Sequence, residues 1–166
     1  PVSLDAVVGQ VLESLSVAIG ESGAQIEVDA LPTVQGDPVQ LAQLFQNLLS
    51  NALKFRRVGP TGEAVTPQVT IRAGLILARE LPASVKPAHY ASTYHLIQVI
   101  DNGIGFEEKY LDRIFQVFQR LHGKNEYVGT GIGLAICEKV VINHGGAITA
   151  TSQPNEGAAF SVYLPM

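Results

Sequence analysis

The 166 residues carry 11 Lys and Arg against 15 Asp and Glu, a formal net charge of −4, with 46% hydrophobic and 16% charged residues. That balance excludes a disordered chain and, in the absence of any Lys/Arg run, a nucleic-acid-binding surface. The length suits one domain, able to bury roughly 70% of its unfolded surface without staples. Cys137 is the only cysteine, which excludes an internal disulfide framework and fits a reducing, cytoplasmic setting. No apolar stretch is long enough to span a bilayer and no basic-then-apolar leader opens the chain, so no membrane contact is expected. The start at Pro1 rather than Met suggests a fragment of a longer chain.

Residues 4–19 place Leu4, Val7, Val8, Val11, Leu12, Leu15, Ala18 and Ile19 at helical spacing, with Ser3 as N-cap and Gly20 and Gly23 as stops. Gln25–Ala30 reads as a strand and Thr33–Gln35 as a second short one. Asp37-Pro38 then opens a helix that runs to about Phe55, Asp capping and Pro at the first helical position. A Gly/Pro loop over 56–66 leads to strands at about 67–78 and 93–100, joined by a proline-containing connection. A short amphipathic helix near 107–114 and a mixed stretch over 115–133 follow, and an apolar helix over 131–143 stops at Gly145-Gly146. Strands 147–152 and 158–164, joined by Q-P-N-E-G, close the chain. The mixture predicts an α+β fold: a two-layer sandwich of a mixed, mostly antiparallel sheet with helices on one face, in a single domain over 1–166.

Three stretches could carry chemistry. On the helix V-Q-L-A-Q-L-F-Q-N-L-L-S-N-A-L-K-F, Leu41, Phe45, Leu48 and Ala52 form an apolar stripe, while Asn47, Asn51 and Lys54 share an adjoining face beside Phe55. Asn is a poor helix-interior residue because its amide competes for backbone bonds. The pair is either solvated edge amides or a row of oxygen donors plus a cation, suited to hydrated Mg²⁺ and phosphates. The glycines of G129-T-G-I-G-L134 open a helix whose free N–H groups and dipole favour an anion, though close helix packing explains them as well. They are neither a dinucleotide fingerprint nor a Walker loop. In D-N-G-I-G, Asp101 ends a strand where it could accept from an exocyclic amine, and Gly103 and Gly105 let a flat ring approach; a plain turn is the other reading.

Taken in order, N-L-L-S-N-A-L-K-F, D-N-G-I-G-F, F-Q-V-F and G-T-G-I-G-L resemble the N, G1, F and G2 boxes of sensor histidine kinases. The resemblance is to their catalytic ATP-binding domain, of the Bergerat-type fold shared with DNA gyrase and mismatch-repair ATPases. The run F-Q-R-L-H-G-K-N-E-Y-V-G-T-G-I-G-L-A-I is similar to phytochrome-type kinases. Four ordered boxes across nearly the whole chain carry it.

The resemblance implies ATP and Mg²⁺ as cofactors. Asn51 would bind the metal, Asn47 would line the phosphate site, Lys54 would meet a phosphate, and Phe55 would pack on the nucleoside. Asp101 would read adenine, with Gly103, Gly105 and Phe106 shaping its pocket. Residues 106–131 correspond to the family's ATP lid, with Arg120 and Lys124 as γ-phosphate contacts and Tyr127 beside the nucleotide. Gly129, Thr130, Gly131, Gly133 and Leu134 would hinge that lid and open the anion-binding helix. Asn47, Lys54, Arg120 and Lys124 are the implied catalytic set.

None of His89, His95, His122 or His144 stands in the Glu/Asp-x-x-x-Pro context of the family's acceptor histidine. The implied partners are therefore a separate dimerisation and phosphoacceptor domain, absent here, and a response-regulator receiver domain. His89 and His95 read as surface residues flanking a strand, and His144 as a ring at a helix C-terminus. The connection 79–93 is longer than the family pattern and takes no role. An ATP hydrolase of the same superfamily is disfavoured because Asn47 occupies the position of its general-base Glu; a catalytically inactive nucleotide-binding module is the remaining alternative.

Overall fold

The computed structural model describes residues 1–54, 62–63, 65–104, 133–153 and 156–166. Its elements are β1 (Val2–Ser3), α1 (Leu4–Ser14), α2 (Ser16–Ser22), β2 (Gln25–Val28), β3 (Thr33–Val34), α3 (Pro38–Lys54), β4 (Gln68–Leu77), β5 (Thr93–Asp101), α4 (Gly133–Asn143), β6 (Ala147–Gln153) and β7 (Gly157–Pro165). The helix expected near 107–114 lies outside the described residues.

Five strands form one sheet in the order β2-β4-β5-β7-β6. β2 runs parallel to β4 and every other pairing is antiparallel, the mixed sheet expected from the sequence. β1 and β3 make a separate two-stranded ribbon. The register lays buried rows across the sheet: Ile71–Val99–Phe160–Ala150, then Ala73–Ile97–Val162–Ile148. Both rows pack, with Leu41, Leu44, Phe45, Leu48 and Leu49 of α3 and Cys137, Val140 and Val141 of α4, into one apolar core. Burying each of these larger side chains stabilises the fold by about 1.5–3 kcal/mol before its entropy is counted.

The helix expected over 4–19 is broken at Leu15, and Gly20 lies inside α2 rather than ending it. Ser14 Oγ donates to the Val11 carbonyl at 2.8 Å, competing with the helical ladder at the break. No residue of α2 is buried, so packing does not hold it in line with α1. Gly23, at φ +69°, ends α2. α3 begins as expected: the Asp37 carboxylate accepts the Val39 N–H at 2.9 Å, and Pro38 fills the first helical position.

The connection 79–93 has a structural place. Val85 is buried with Tyr94 and Tyr163 in a second apolar cluster, joined by Leu81, Ala91 and Leu96. Strand alternation puts Tyr94 and Tyr163 on the face opposite the helices, so the connection covers one end of that face. Ala88 and His89 donate their N–H groups to Gly146 and Gly145, tying it to the end of α4. His95 lies within β5 rather than beside it, half-buried between Leu75 and Leu164, and desolvation holds its pKa below the usual histidine value.

Candidate nucleotide site

α3 and α4 pack antiparallel, as four contacts along their length show. Asp37 N–H meets His144, Gln40 meets Asn143 at 3.3 Å, the Cys137 thiol donates to the Leu44 carbonyl at 3.7 Å, and Gly133 lies beside the Asn47 side chain. Position numbers rise along α3 as they fall along α4, so α4 begins opposite Asn47. Asn51 and Lys54, one and two turns further along α3, therefore stand in front of the first residues of α4. A helix start carries unpaired N–H groups and partial positive charge, and here an amide and an ammonium face the same space.

Asn47 departs from a plain solvated amide: its Nδ2 is buried and, among the described residues, has no partner in hydrogen-bond geometry, its amide lying against the Cys137 thiol. A buried unsatisfied donor costs about 1–3 kcal/mol, so this one is poised for an acceptor such as a phosphate oxygen or a water. Asn51 is half-buried and Lys54 is exposed.

Asp101 ends β5 at the same end of the sheet. α4 finishes beside Ala147, which pairs with Tyr163, whereas Asp101 pairs with Ala158 at the other end of β7. The core row Val69–Asp101–Ala158–Ser152 thus carries a carboxylate where alternation calls for an apolar side chain. Burial raises the Asp101 pKa to about 6, while hydrogen bonds from the Gly103 and Ala158 N–H groups pull the other way. The Gly103 bond is 2.8 Å long and folds D-N-G into an Asx turn, with Gly103 buried. A shallow cleft of about 290 Å³ at the β6–β7 hairpin shares Asp101, and among the described residues no cation lines it.

Of the residues singled out in the sequence, Asn47, Asn51, Lys54, Gly133 and Leu134 gather where α3 passes α4, and Asp101 and Gly103 lie at the same end of the sheet. Phe55, Gly105, Phe106, Arg120, Lys124, Tyr127, Gly129, Thr130 and Gly131, with the lid over 106–131, lie outside the described residues. Two residues that the sequence reading passed over also shape the site. The Asn102 amide grips the start of β4, and Gly157, at φ +98°, lies so close that a Cβ there would run into the Asp101 carbonyl. Both had been absorbed into turn chemistry, where Asn and Gly attract no attention.

A helix-backed mixed sheet with a carboxylate at one strand end and an amide and an ammonium beside a helix start places the chain among two-layer α/β sandwiches. The profile of the family described as "Histidine kinase-, DNA gyrase B-, and HSP90-like ATPase" matches residues 36–166, and the chain belongs to that family. It is 41% identical over 160 residues to phytochrome-like protein Cph1 of Synechocystis, covering 96% of this chain and 19% of that protein. It is 44% identical over 155 residues to cyanobacterial phytochrome A of Nostoc, covering 93% of this chain and 18% of that protein. The chain thus spans less than a fifth of these relatives. Among solved structures, mycobacterial sensor histidine kinase MprB matches with a TM-score of 0.73 at 26% identity, over 99% of this chain and 95% of that one. Full-length ShkA in complex with AMPPNP matches with a TM-score of 0.72 at 26% identity, over 99% of this chain and 30% of that one. The fold is that of histidine kinase catalytic domains.

Proposed function

We propose that this chain is the ATP-holding catalytic domain of a sensor histidine kinase, acting on a histidine carried by a separate dimerisation domain. In the reaction the bond from the γ-phosphorus to its bridging oxygen breaks, a phosphorus–nitrogen bond to the acceptor imidazole forms, and ADP leaves. A receiver domain of a response regulator would take the phosphoryl group next. The observation that carries this reading is the meeting of Asn47, Asn51 and Lys54 with the start of α4, at the end of the sheet that presents Asp101. Phosphoryl transfer asks chiefly for positioning and charge neutralisation, and those groups supply both.

Asp101 would accept from the adenine amine, and Gly103 would leave room for the ring. Lys54 would pair with a phosphate, and the buried Nδ2 of Asn47 would gain an acceptor that it does not find among the described residues. The residues suit Mg²⁺: that ion takes one or two protein oxygens and fills its remaining positions with water and phosphate, and the half-buried Asn51 amide, one turn beyond Asn47, would supply such an oxygen. When bound, the ion would offset charge on the transferring phosphates. Arg120 and Lys124 would add to that charge from the lid, and Gly129 to Gly133 would hinge it. Hydrolysis is the weaker reading, because the Asn47 amide cannot take a proton from water.

The test is calorimetry and radiolabelled ATP on the isolated chain and on an N-terminally extended protein. The isolated chain should bind ATP with Mg²⁺ and take no label, while the extended protein should form acid-labile phosphohistidine. Stable label on any of the four histidines of the isolated chain would overturn the division of labour.

A further inference from the structure

We infer that Asn102 is a positioning residue for the base-reading carboxylate, acting through the backbone of Asp101 rather than on the nucleotide. The inference rests on the ATP reading above. β4 and β5 pair in register up to Val69 and Asp101. Beyond that pair the ladder continues through a side chain: Asn102 Oδ1 accepts the Gln68 N–H at 2.9 Å, and Asn102 Nδ2 donates to the Thr66 carbonyl at 3.1 Å. One acceptor and one donor, offered to Gln68 at the start of β4 and to Thr66 two residues before it, are what a paired strand residue would provide. The side chain thus stands in for the strand, and the main chain is released to turn, so that Gly103 N–H reaches the Asp101 carboxylate at 2.8 Å.

Both sides of this arrangement are closed. Residues 66–68 are held from the other side by β2, whose Gln25 N–H donates to the Pro67 carbonyl at 2.9 Å. The Asp101–Asn102 peptide is backed by Gly157, where a Cβ would strike the Asp101 carbonyl and approach Asn102 Cα to 2.9 Å. The peptide therefore cannot retreat toward β7, and Asn102 keeps it from drifting off β4. Its amide is engaged on both atoms, by Gln68 and by Thr66, which ties it to the backbone leading into β4. Serine or alanine at this position would still allow a turn, but neither could bridge residues 66 and 68.

The test is calorimetric titration of ATP and of inorganic tripolyphosphate into wild type, Asn102→Ala, Asp101→Ala and the double variant. Asn102→Ala should weaken ATP about tenfold, the scale of one well-made hydrogen bond. It should leave tripolyphosphate unchanged, and its effect on ATP should vanish in the Asp101→Ala background. Asn102→Asp keeps the acceptor for Gln68 but sets a carboxylate oxygen against the Thr66 carbonyl; it should act in the same direction and serves if the alanine variant does not fold. Unchanged ATP affinity, equal losses for both ligands, or an undiminished loss without Asp101 would each overturn the inference. A wild-type chain that binds no ATP removes the underlying reading and this one with it, and shows itself before any variant is made.

Discussion

His144 joins the two long helices of the core through Asp37: ring Nε2 accepts the Asp37 N–H at 3.0 Å, while Nδ1 lies 2.7 Å from the Val140 carbonyl. Only a ring with its proton on Nδ1 and none on Nε2 satisfies both contacts. Asp37 in turn caps α3 through its carboxylate, so the end of α4 and the start of α3 form one hydrogen-bonded joint.

Gly36 lies against that ring, where an added Cβ would come within 2.6 Å of Nε2. His144→Ala should cost about 1 kcal/mol in urea unfolding, the net worth of such bonds. Gly36→Ala should cost more in the wild type than in the His144→Ala background, where only the flexible end of Leu41, at 3.0 Å, would still have to give way. Additive losses would show that the ring is not the obstacle.

Asp101→Asn should lower ATP affinity roughly ten- to a hundredfold while the fold persists, since a hydrogen bond to a charged group is worth about 1.5–3 kcal/mol. GTP, with an acceptor at that ring position, should gain relative to ATP. Titration of both nucleotides into both proteins, with melting curves alongside, checks this. A lower melting temperature with unchanged preference would make Asp101 a turn residue only.

The pH dependence follows from burial raising the Asp101 pKa from 3.8 to about 6. A raised carboxyl binds its proton more tightly in the folded state, so this group favours folding below about pH 4. That contribution is lost as pH rises to about 6, a change of roughly 3 kcal/mol. Asp101→Asn should remove this slope from a urea series across pH 4–7. ATP binding should run the opposite way, weakening as pH falls below about 6, because the amine needs the carboxylate.

Tyr94 is buried, and its hydroxyl accepts the Ala91 N–H at 2.8 Å and donates to the His89 carbonyl at 2.9 Å. Tyr94→Phe should therefore cost about 1–3 kcal/mol. It should also speed proteolysis between Pro82 and Ser92, where the Val85 cluster and the Ala88 and His89 bonds to Gly146 and Gly145 would then anchor the connection without the tyrosine hydroxyl. Unchanged cleavage there would show that the apolar cluster suffices.

The sequence was most legible where one residue type admits one physical explanation. Asp37-Pro38 started α3 where expected, and the stripe of Leu41, Phe45, Leu48 and Ala52 is buried. Asn47 and Asn51, unfavourable inside a helix, pointed to the candidate site because they needed a reason. The break at Leu15 was hidden, since apolar spacing continues through it and the Ser14 hydroxyl only shares the Val11 carbonyl with the Leu15 N–H. Asn102 and Gly157 were hidden for a different reason. Their partners, Gln68 and Asp101, are 34 and 56 positions away, and the residue types alone read as turns. The 79–93 connection gave no sign of its place because Val85 finds its neighbours only once β5 and β7 are paired.

Cys137 gives this fold a clock. Its thiol is fully enclosed between the helices and burial pushes its pKa up to about 12, so at neutral pH it is neither reachable nor nucleophilic in the folded state. Because no second cysteine competes, a thiol reagent added in excess reacts only with molecules that have opened their core. The labelling rate then counts openings directly, and any ligand that closes α3 against α4 will slow that count without a dye, a tag or an engineered probe.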